Sequence, residues 1–240
     1  MSIWGKIAGA ATGLAIGGPL GALLGGLAGH YAIDRENDEA ADLQEREVAF
    51  SMGVIALGAK MAKADGVVTK DEVSAFKDVF KVPDSELKNV ARLFNLAKKD
   101  VAGYESYAKQ LARLFQDDRE TLKAVLDGLF HIAKADEVIH PSEEDYLASV
   151  ARIFGFSDTE FAYIRARHVH AKERSPYDVL EVDPSISDEE LKKHYRKLVR
   201  ENHPDRLMAR GVPEEFVEIA NNKIAAINQA YDEIAKERGL

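Results

Sequence analysis

A basic amphipathic segment that ends at the tripeptide His203-Pro204-Asp205 constrains the fold of this chain more strongly than any other feature. Ser187 and Glu190 match a capping box, a signature of a helix start. Proline disfavours helical geometry in the residue before it, so Pro204 predicts where the helix ends. The apolar residues of the segment are Leu191, Tyr195, Leu198 and Val199, at the spacing of one buried helical face. Residues 188–202 are therefore predicted to form a helix that packs by one face.

The basic residues of this predicted helix lie off the apolar stripe and form a positive face. Residues 191–202 hold five basic side chains and one acidic side chain, whereas residues 175–240 hold 10 basic and 14 acidic ones. The basic residues are Lys192, Lys193, Arg196, Lys197 and Arg200. A positive stripe on an acidic domain steers an acidic partner, although a solvated helix face is the alternative interpretation. Nucleic acid is not an expected partner, because the whole chain carries a net charge of −9.

A second helix is predicted from Glu214 to about Glu237, after a polar loop over residues 206–213. Its inward stripe is predicted to consist of Phe216, Ile219, Ala220, Ile224, Ile227, Tyr231 and Ile234. Residues 175–180, before the basic helix, read as a short helical turn that caps the pair. These elements together predict a helical hairpin at the C-terminal end of the sequence.

Four motifs in this hairpin resemble those of the J domain, the module of the DnaJ co-chaperones. The matching stretches are Tyr177–Leu180, Leu191–Leu198, His203-Pro204-Asp205 and Ile227–Tyr231, in the order and spacing of the family. The resemblance covers residues 175–240 and implies docking on an Hsp70 chaperone (DnaK) and stimulation of its ATP hydrolysis. It implies that the five basic residues of the helix dock the partner and that the tripeptide contacts its ATPase machinery.

An enzymatic role is the alternative reading of His203, as a general base assisted by Asp205. Nothing in the sequence supplies a nucleophile or a substrate pocket, and Pro204 is expected to direct the two side chains apart. No Gly-rich phosphate loop of the G-x-x-x-x-G-K-[ST] type occurs. We therefore expect a protein that is not an enzyme and that carries no cofactor.

The N-terminal end of the sequence has glycine at every fourth position from Gly5 to Gly29. Residues 7–29 contain no charged side chain, and 23 helical residues suffice to cross a bilayer core. Small residues at this spacing let two helices approach closely, which predicts a homodimer through the glycine face. We expect a membrane anchor helix over residues 1–33. A cleaved signal peptide, a soluble Gly-rich linker and a weakly inserting helix are the alternatives.

The orientation of this anchor cannot be read from its flanking charges, which are nearly balanced. The J domain resemblance implies a bacterial chaperone partner in the cytoplasm. It therefore implies a single-pass protein of the inner membrane whose C-terminal domains are cytoplasmic. Residues 34–47 are highly charged and are expected to form a linker or the polar start of a helix.

The middle of the chain, residues 48–171, is predicted to be a bundle of six to eight helices, so that the whole fold is all-α. Residues 62–72 align with residues 133–143 at an offset of 71, which indicates an internal duplication. This pattern is similar to the TerB-like domain of tellurite-resistance proteins. The order of anchor, TerB-like domain and J domain resembles membrane-anchored DnaJ-like co-chaperones.

The duplicated stretches also raise the question of a metal site. The candidate ligands are Asp65, Glu72, Asp136 and Glu143. Met61 and Lys63 stand at the first and third positions of a calcium loop and cannot ligate calcium. Capping of helices by Thr69 with Glu72, and by His140 with Glu143, is the structural alternative. The chain has no cysteine, and its histidines show no zinc spacing. If these acidic residues do form a site, the alternative function is a membrane stress or metal sensor that acts through the TerB-like domain.

Overall fold

The computed structural model describes residues 39–64, 87–99, 103–134, 139–169 and 174–240, together with residues 7, 18–21, 77, 79 and 82. Within these residues the protein is all-α, as predicted, and contains no β-strand. Within the described part of the chain, six helices with defined bounds precede residue 170 and form what we call the bundle. They are α1 (Glu39–Ala64), α2 (Leu87–Lys99), α3 (Tyr104–Leu114), α4 (Arg119–Ala133), α5 (Pro141–Ile153) and α6 (Asp158–Ala166).

Helix α1 is the centre of the bundle. It contacts α2, α3, α4 and α5, and from Glu47 to Ala62 every residue except Lys60 is buried. A helix that is apolar on all sides needs neighbours on all sides, which is the arrangement found here. Tyr146 of α5 fixes one of these contacts by donating its hydroxyl to Leu57 O at 2.9 Å.

The C-terminal domain, residues 174–240, is a helical hairpin with two short additions. It comprises α7 (Pro176–Val179), α8 (Asp188–Glu201), α9 (Pro204–Met208), a 3₁₀ turn (Glu214–Phe216) and α10 (Val217–Arg238). The predicted capping box is confirmed, since the side chains of Ser187 and Glu190 each accept from the other residue's backbone N–H. Helix α8 ends at Glu201, with Asn202 as its C-cap.

The predicted polar loop over residues 206–213 is wrong in its first part. Helix α9 occupies Pro204–Met208, because Pro204 stands at the first helical position, where its missing N–H costs nothing. His203 is the N-cap of this helix, and its Nδ1 accepts from Asp205 N at 3.3 Å. The proline therefore starts a helix as well as following one.

The described apolar side chains form two cores, one inside the bundle and one inside the C-terminal domain. The predicted stripe of the last helix is divided between them. Phe216, Ile219 and Ala220 belong to the core of the bundle, whereas Ile227 and Ile234 belong to the core of the C-terminal domain. The C-terminal domain is thus packed against the bundle by the start of its own longest helix.

Most of the predicted membrane segment, 7–29, lies outside the described residues. Of its described residues, Ile7 and Leu20 are buried in the core of the bundle, and Leu20 N donates to Gln110 Oε1 at 3.0 Å. Among the residues that the structure describes, no helix combines the length and the hydropathy needed to cross a bilayer. The predicted homodimer through the glycine face concerns glycines that, except for Gly21, lie outside the described part. Within the predicted charged linker, 34–47, helix α1 begins at Glu39.

Candidate functional site

The tripeptide lies at the turn between α8 and α9. The side chains of His203 and Asp205 are 53% and 80% exposed, whereas Pro204 is buried. His203 Nδ1 lies 3.7 Å from Asp205 Oδ2. The expectation that Pro204 directs the two side chains apart is therefore wrong. The N-cap position turns the imidazole back over the first turn of α9, where it meets the carboxylate.

Asn202 fixes the chain just before the tripeptide and is a residue that the sequence analysis did not assign. Its side chain is buried, and Asn202 Nδ2 donates to Leu198 O at 2.8 Å. The backbone N–H of Asn202 donates to the same carbonyl at 3.1 Å. Two donors on one terminal carbonyl hold the end of α8 and so define where the tripeptide starts. A sequence signal existed, because asparagine is common at helix ends.

The five basic residues predicted on this helix all lie on the exposed side of α8. They are Lys192, Lys193, Arg196, Lys197 and Arg200, and they line a shallow groove together with Ile186, Glu189, Glu190 and His194. Lys197 lies 4.0 Å from Glu201. Within the described part of the chain, the other four form no salt bridge of 4.0 Å or less. Their charge is thus available to an external anionic surface.

The exposed face of α8 is held in place by its buried face on α10. Tyr195 stacks on Tyr231 with ring centroids 4.1 Å apart, and Tyr195 Oη donates to Asn228 Oδ1 at 2.9 Å. His194 Nε2 lies 2.8 Å from Leu180 O, which ties α8 to the turn after α7. These contacts fix the rotation of α8 and therefore the direction in which its basic residues point.

Arg238, near the end of α10, closes the other end of the hairpin. Its guanidinium donates to Ile186 O at 2.7 Å, to Pro184 O at 2.7 Å and to Asp188 Oδ1 at 2.9 Å. It also donates to Tyr177 Oη at 3.2 Å. One planar donor group therefore holds the loop that leads into α8. Periodicity gave no sign of this role, because Arg238 stands in the last helical turn, where a basic residue is common.

The acidic candidates for a metal site are only partly described. Asp65, Glu72 and Asp136 lie outside the described residues. Glu143 Oε2 accepts from His140 N at 2.9 Å and caps α5, which is the structural role considered for it. Among the described residues, no three histidine, aspartate or glutamate side chains are grouped as metal ligands would be. A sensor function of the bundle remains a prediction from the sequence.

Comparison with known families agrees with this architecture. The family model described as the DnaJ domain matches residues 175–238, and that of the tellurite resistance protein TerB matches residues 51–166. The model described as the transmembrane domain of the co-chaperone DjlA matches residues 1–56. No solved structure matches the chain. The hairpin and its tripeptide thus define a J-domain protein, a co-chaperone of the DnaJ type.

Similar proteins cover most of the chain. The co-chaperone protein DjlA of Photobacterium profundum is 30% identical, over 88% of this chain and 84% of its own. The protein of the same name from Shewanella oneidensis is 30% identical over the full length of both chains. The DjlA protein of Legionella pneumophila is 28% identical over 80% of this chain and 77% of its own. The chain belongs to the DjlA family of co-chaperones.

Proposed function

We propose that this protein stimulates the ATPase of a cytoplasmic Hsp70 chaperone of the DnaK type. The observation that carries the proposal is the exposed tripeptide beside a basic helix face whose charges are largely unpaired within the described residues. In this proposal Lys192, Lys193, Arg196, Lys197 and Arg200 attract and orient the chaperone, and His203-Pro204-Asp205 triggers hydrolysis. The chain itself contributes no catalytic group.

The proposed division of the chain follows from the same function. Residues 1–33 anchor the protein in the bacterial inner membrane, residues 34–47 link the anchor to the bundle, and residues 48–171 form the TerB-like domain. Residues 175–240 are the J domain, on the cytoplasmic side. The match of residues 1–56 to the DjlA transmembrane domain supports the anchor. Protease digestion of sealed inverted membrane vesicles tests the orientation, because only a cytoplasmic J domain is cleaved there.

The direct test is single-turnover ATP hydrolysis by a bacterial Hsp70, with the full chain in detergent or lipid. His203→Gln is expected to abolish the stimulation while leaving the fold intact. The chain offers a matched control in His140, which is also a helix N-cap followed by proline. His140→Gln is expected to stimulate as the unchanged protein does. Normal stimulation by His203→Gln would exclude the proposed trigger.

A further inference from the structure

The J domain packs against the bundle through buried apolar side chains, of which Phe216 is the largest. Phe216 is buried and meets Phe50 edge to face, with ring centroids 4.7 Å apart. On its other side it packs against Gly128 of α4, where an added Cβ would lie 2.8 Å from Phe216 Cε1. Leu207 and Val212, on either side of the turn after α9, are buried in the same core. The contact is therefore as closely packed as the interior of one domain.

Charged side chains that are largely buried also join the J domain to the bundle. Lys223 of α10 donates to Asp127 of α4 at 2.8 Å, and both side chains are less than 5% exposed. His168 Nε2 lies 2.8 Å from the other oxygen of Asp127. Glu181 of the J domain binds Lys123 of α4 at 3.1 Å. The pairs of Lys223 with Asp127 and of Glu181 with Lys123 join the J domain to the bundle, so they exist only while the two parts are docked, whereas His168 belongs to the bundle.

A third set of contacts reaches the chain just after α9, the short helix that begins within the tripeptide. Arg210 Nη1 lies 3.3 Å from Asp118 Oδ1, at the start of α4. Arg46 of α1 donates to Arg210 O at 2.9 Å and to Asp118 Oδ2 at 2.9 Å. Gly211, with φ of +95°, allows this approach, since a Cβ there would lie 2.5 Å from Arg46 Cβ. The bundle therefore holds the segment that follows α9 through both the side chain and the backbone carbonyl of Arg210.

The docking contacts leave the chaperone-binding surface uncovered. His203 and Asp205 are exposed, and so are the basic residues of α8. Only the buried side of α9, represented by Pro204 and Leu207, faces inward. The turn that carries the tripeptide is thus packed on its buried side and accessible to a partner on its exposed side.

We propose that the TerB-like bundle is a docking platform that orders the turn carrying the tripeptide before the chaperone binds, with Arg46, Asp118 and Arg210 as positioning residues. This inference rests on the proposed function. A turn that is already ordered loses less conformational freedom on binding, so it binds at lower concentration. The chemistry in the bound state is the same with or without this support. Releasing the turn therefore raises the concentration of co-chaperone needed, while the maximal rate stays constant.

Asp118→Asn is the variant that separates positioning from folding. Asparagine remains a good N-cap for α4 and can still accept from Thr121 N, but it removes the negative charge that holds Arg46 and Arg210. Asp117→Asn is the matched control, since it removes the same charge at the neighbouring position and Asp117 is exposed. Gly128→Leu is the second variant, which opens the contact from the apolar side by displacing Phe216.

Two measurements on the full chain in detergent test the proposal. In titrations of Hsp70 ATPase, Asp118→Asn and Gly128→Leu are expected to raise the half-saturating concentration about three- to tenfold at an unchanged maximal rate. Amide hydrogen exchange of residues 204–216 is expected to become faster in both variants and to stay unchanged in Asp117→Asn.

The possible results separate positioning of the turn from inhibition by docking and from a failure of the proposed function. Faster exchange with unchanged half-saturation refutes positioning, and a lower half-saturating concentration shows that docking inhibits the J domain instead. Unchanged exchange in both variants shows that these contacts do not hold the turn, which also overturns the proposal. If the unchanged protein fails to stimulate Hsp70, the proposed function fails, and hydrogen exchange still reports on docking by itself.

Discussion

Lys223 of the J domain and Asp127 of the bundle form an ion pair of 2.8 Å in which both side chains are almost completely buried. Burial alone would raise the pKa of the Asp127 carboxyl, but nearby cations, led by Lys223, outweigh burial and hold that pKa far below its ordinary value. Asp127 is therefore ionised at all physiological pH values. The pair joins the two domains, so the energetics of each domain depends on the other.

Replacing Lys223 by methionine is expected to lower the free energy of unfolding by roughly 3 kcal/mol, because the Asp127 carboxylate loses its main partner while it stays buried. Urea unfolding of the full chain measures the loss. Lys236→Met is the control, since Lys236 is exposed on the same helix. A Lys223→Met protein as stable as this control would show that the pair does not contribute to folding.

Acid is expected to weaken the contact between the domains through Glu181. Burial alone would raise its pKa, but Arg167 and Lys123 lower the pKa of Glu181 from 4.5 to about 2. Because the folded-state pKa is depressed, the stabilisation is complete above pH 4.5 and is lost as the pH falls towards 2. Urea unfolding between pH 6 and pH 2 measures the slope, with pH values chosen about one unit apart.

Glu181→Gln is expected to lose part of this dependence on pH, since glutamine does not titrate. Glu189→Gln, an exposed change on α8, serves as the control and is expected to keep the slope of the unchanged protein. Equal slopes for the two variants would contradict the role assigned to Glu181.

Reversing two charges on the basic face of α8 is expected to weaken the productive encounter with Hsp70. Lys193→Glu combined with Arg196→Glu should raise the half-saturating concentration about tenfold and reduce its dependence on salt. The measurement is ATPase stimulation at several ionic strengths. Lys236→Glu, on the exposed side of α10, should change neither quantity. A salt dependence that survives the double reversal would assign the attraction to other residues.

Tyr146→Phe is expected to destabilise the bundle by about 1 kcal/mol, because Leu57 O loses its buried donor. Burial raises the pKa of the Tyr146 hydroxyl well above its ordinary value, so the group stays protonated and able to donate. Thermal unfolding measures the change, and Tyr163→Phe, at a partly exposed position on α6, is the control. No difference between the two variants would mean that the Leu57 carbonyl finds another partner.

The local features of the J domain could be predicted from the sequence because they depend on neighbours in the chain. The capping box of Ser187 and Glu190 and the apolar face of α8 are of this kind. Pro204 was harder, since the same residue is compatible with the end of one helix and the start of the next. Its role at the start of α9 depends on the His203 cap, which is a matter of geometry.

The contact between the domains could not be predicted in this way. Asp127, His168 and Lys223 are far apart in the sequence, and each one alone resembles an ordinary surface residue. The stripe of α10 was predicted as one face, because periodicity shows which residues are apolar and gives no information about the core they enter. Among the metal candidates, Glu143 is accounted for by its cap, and Asp65, Glu72 and Asp136 lie outside the described residues.

Helix α10 enters two cores, and this has a practical consequence for the choice of fragment. A recombinant fragment that starts near residue 174 exposes Phe216, Ile219 and Ala220 to solvent. It also leaves Lys223 without its partner Asp127. Exposed apolar surfaces associate in water, so such a fragment should self-associate as its concentration rises. Keeping the helices from Glu39 onward supplies the missing cover.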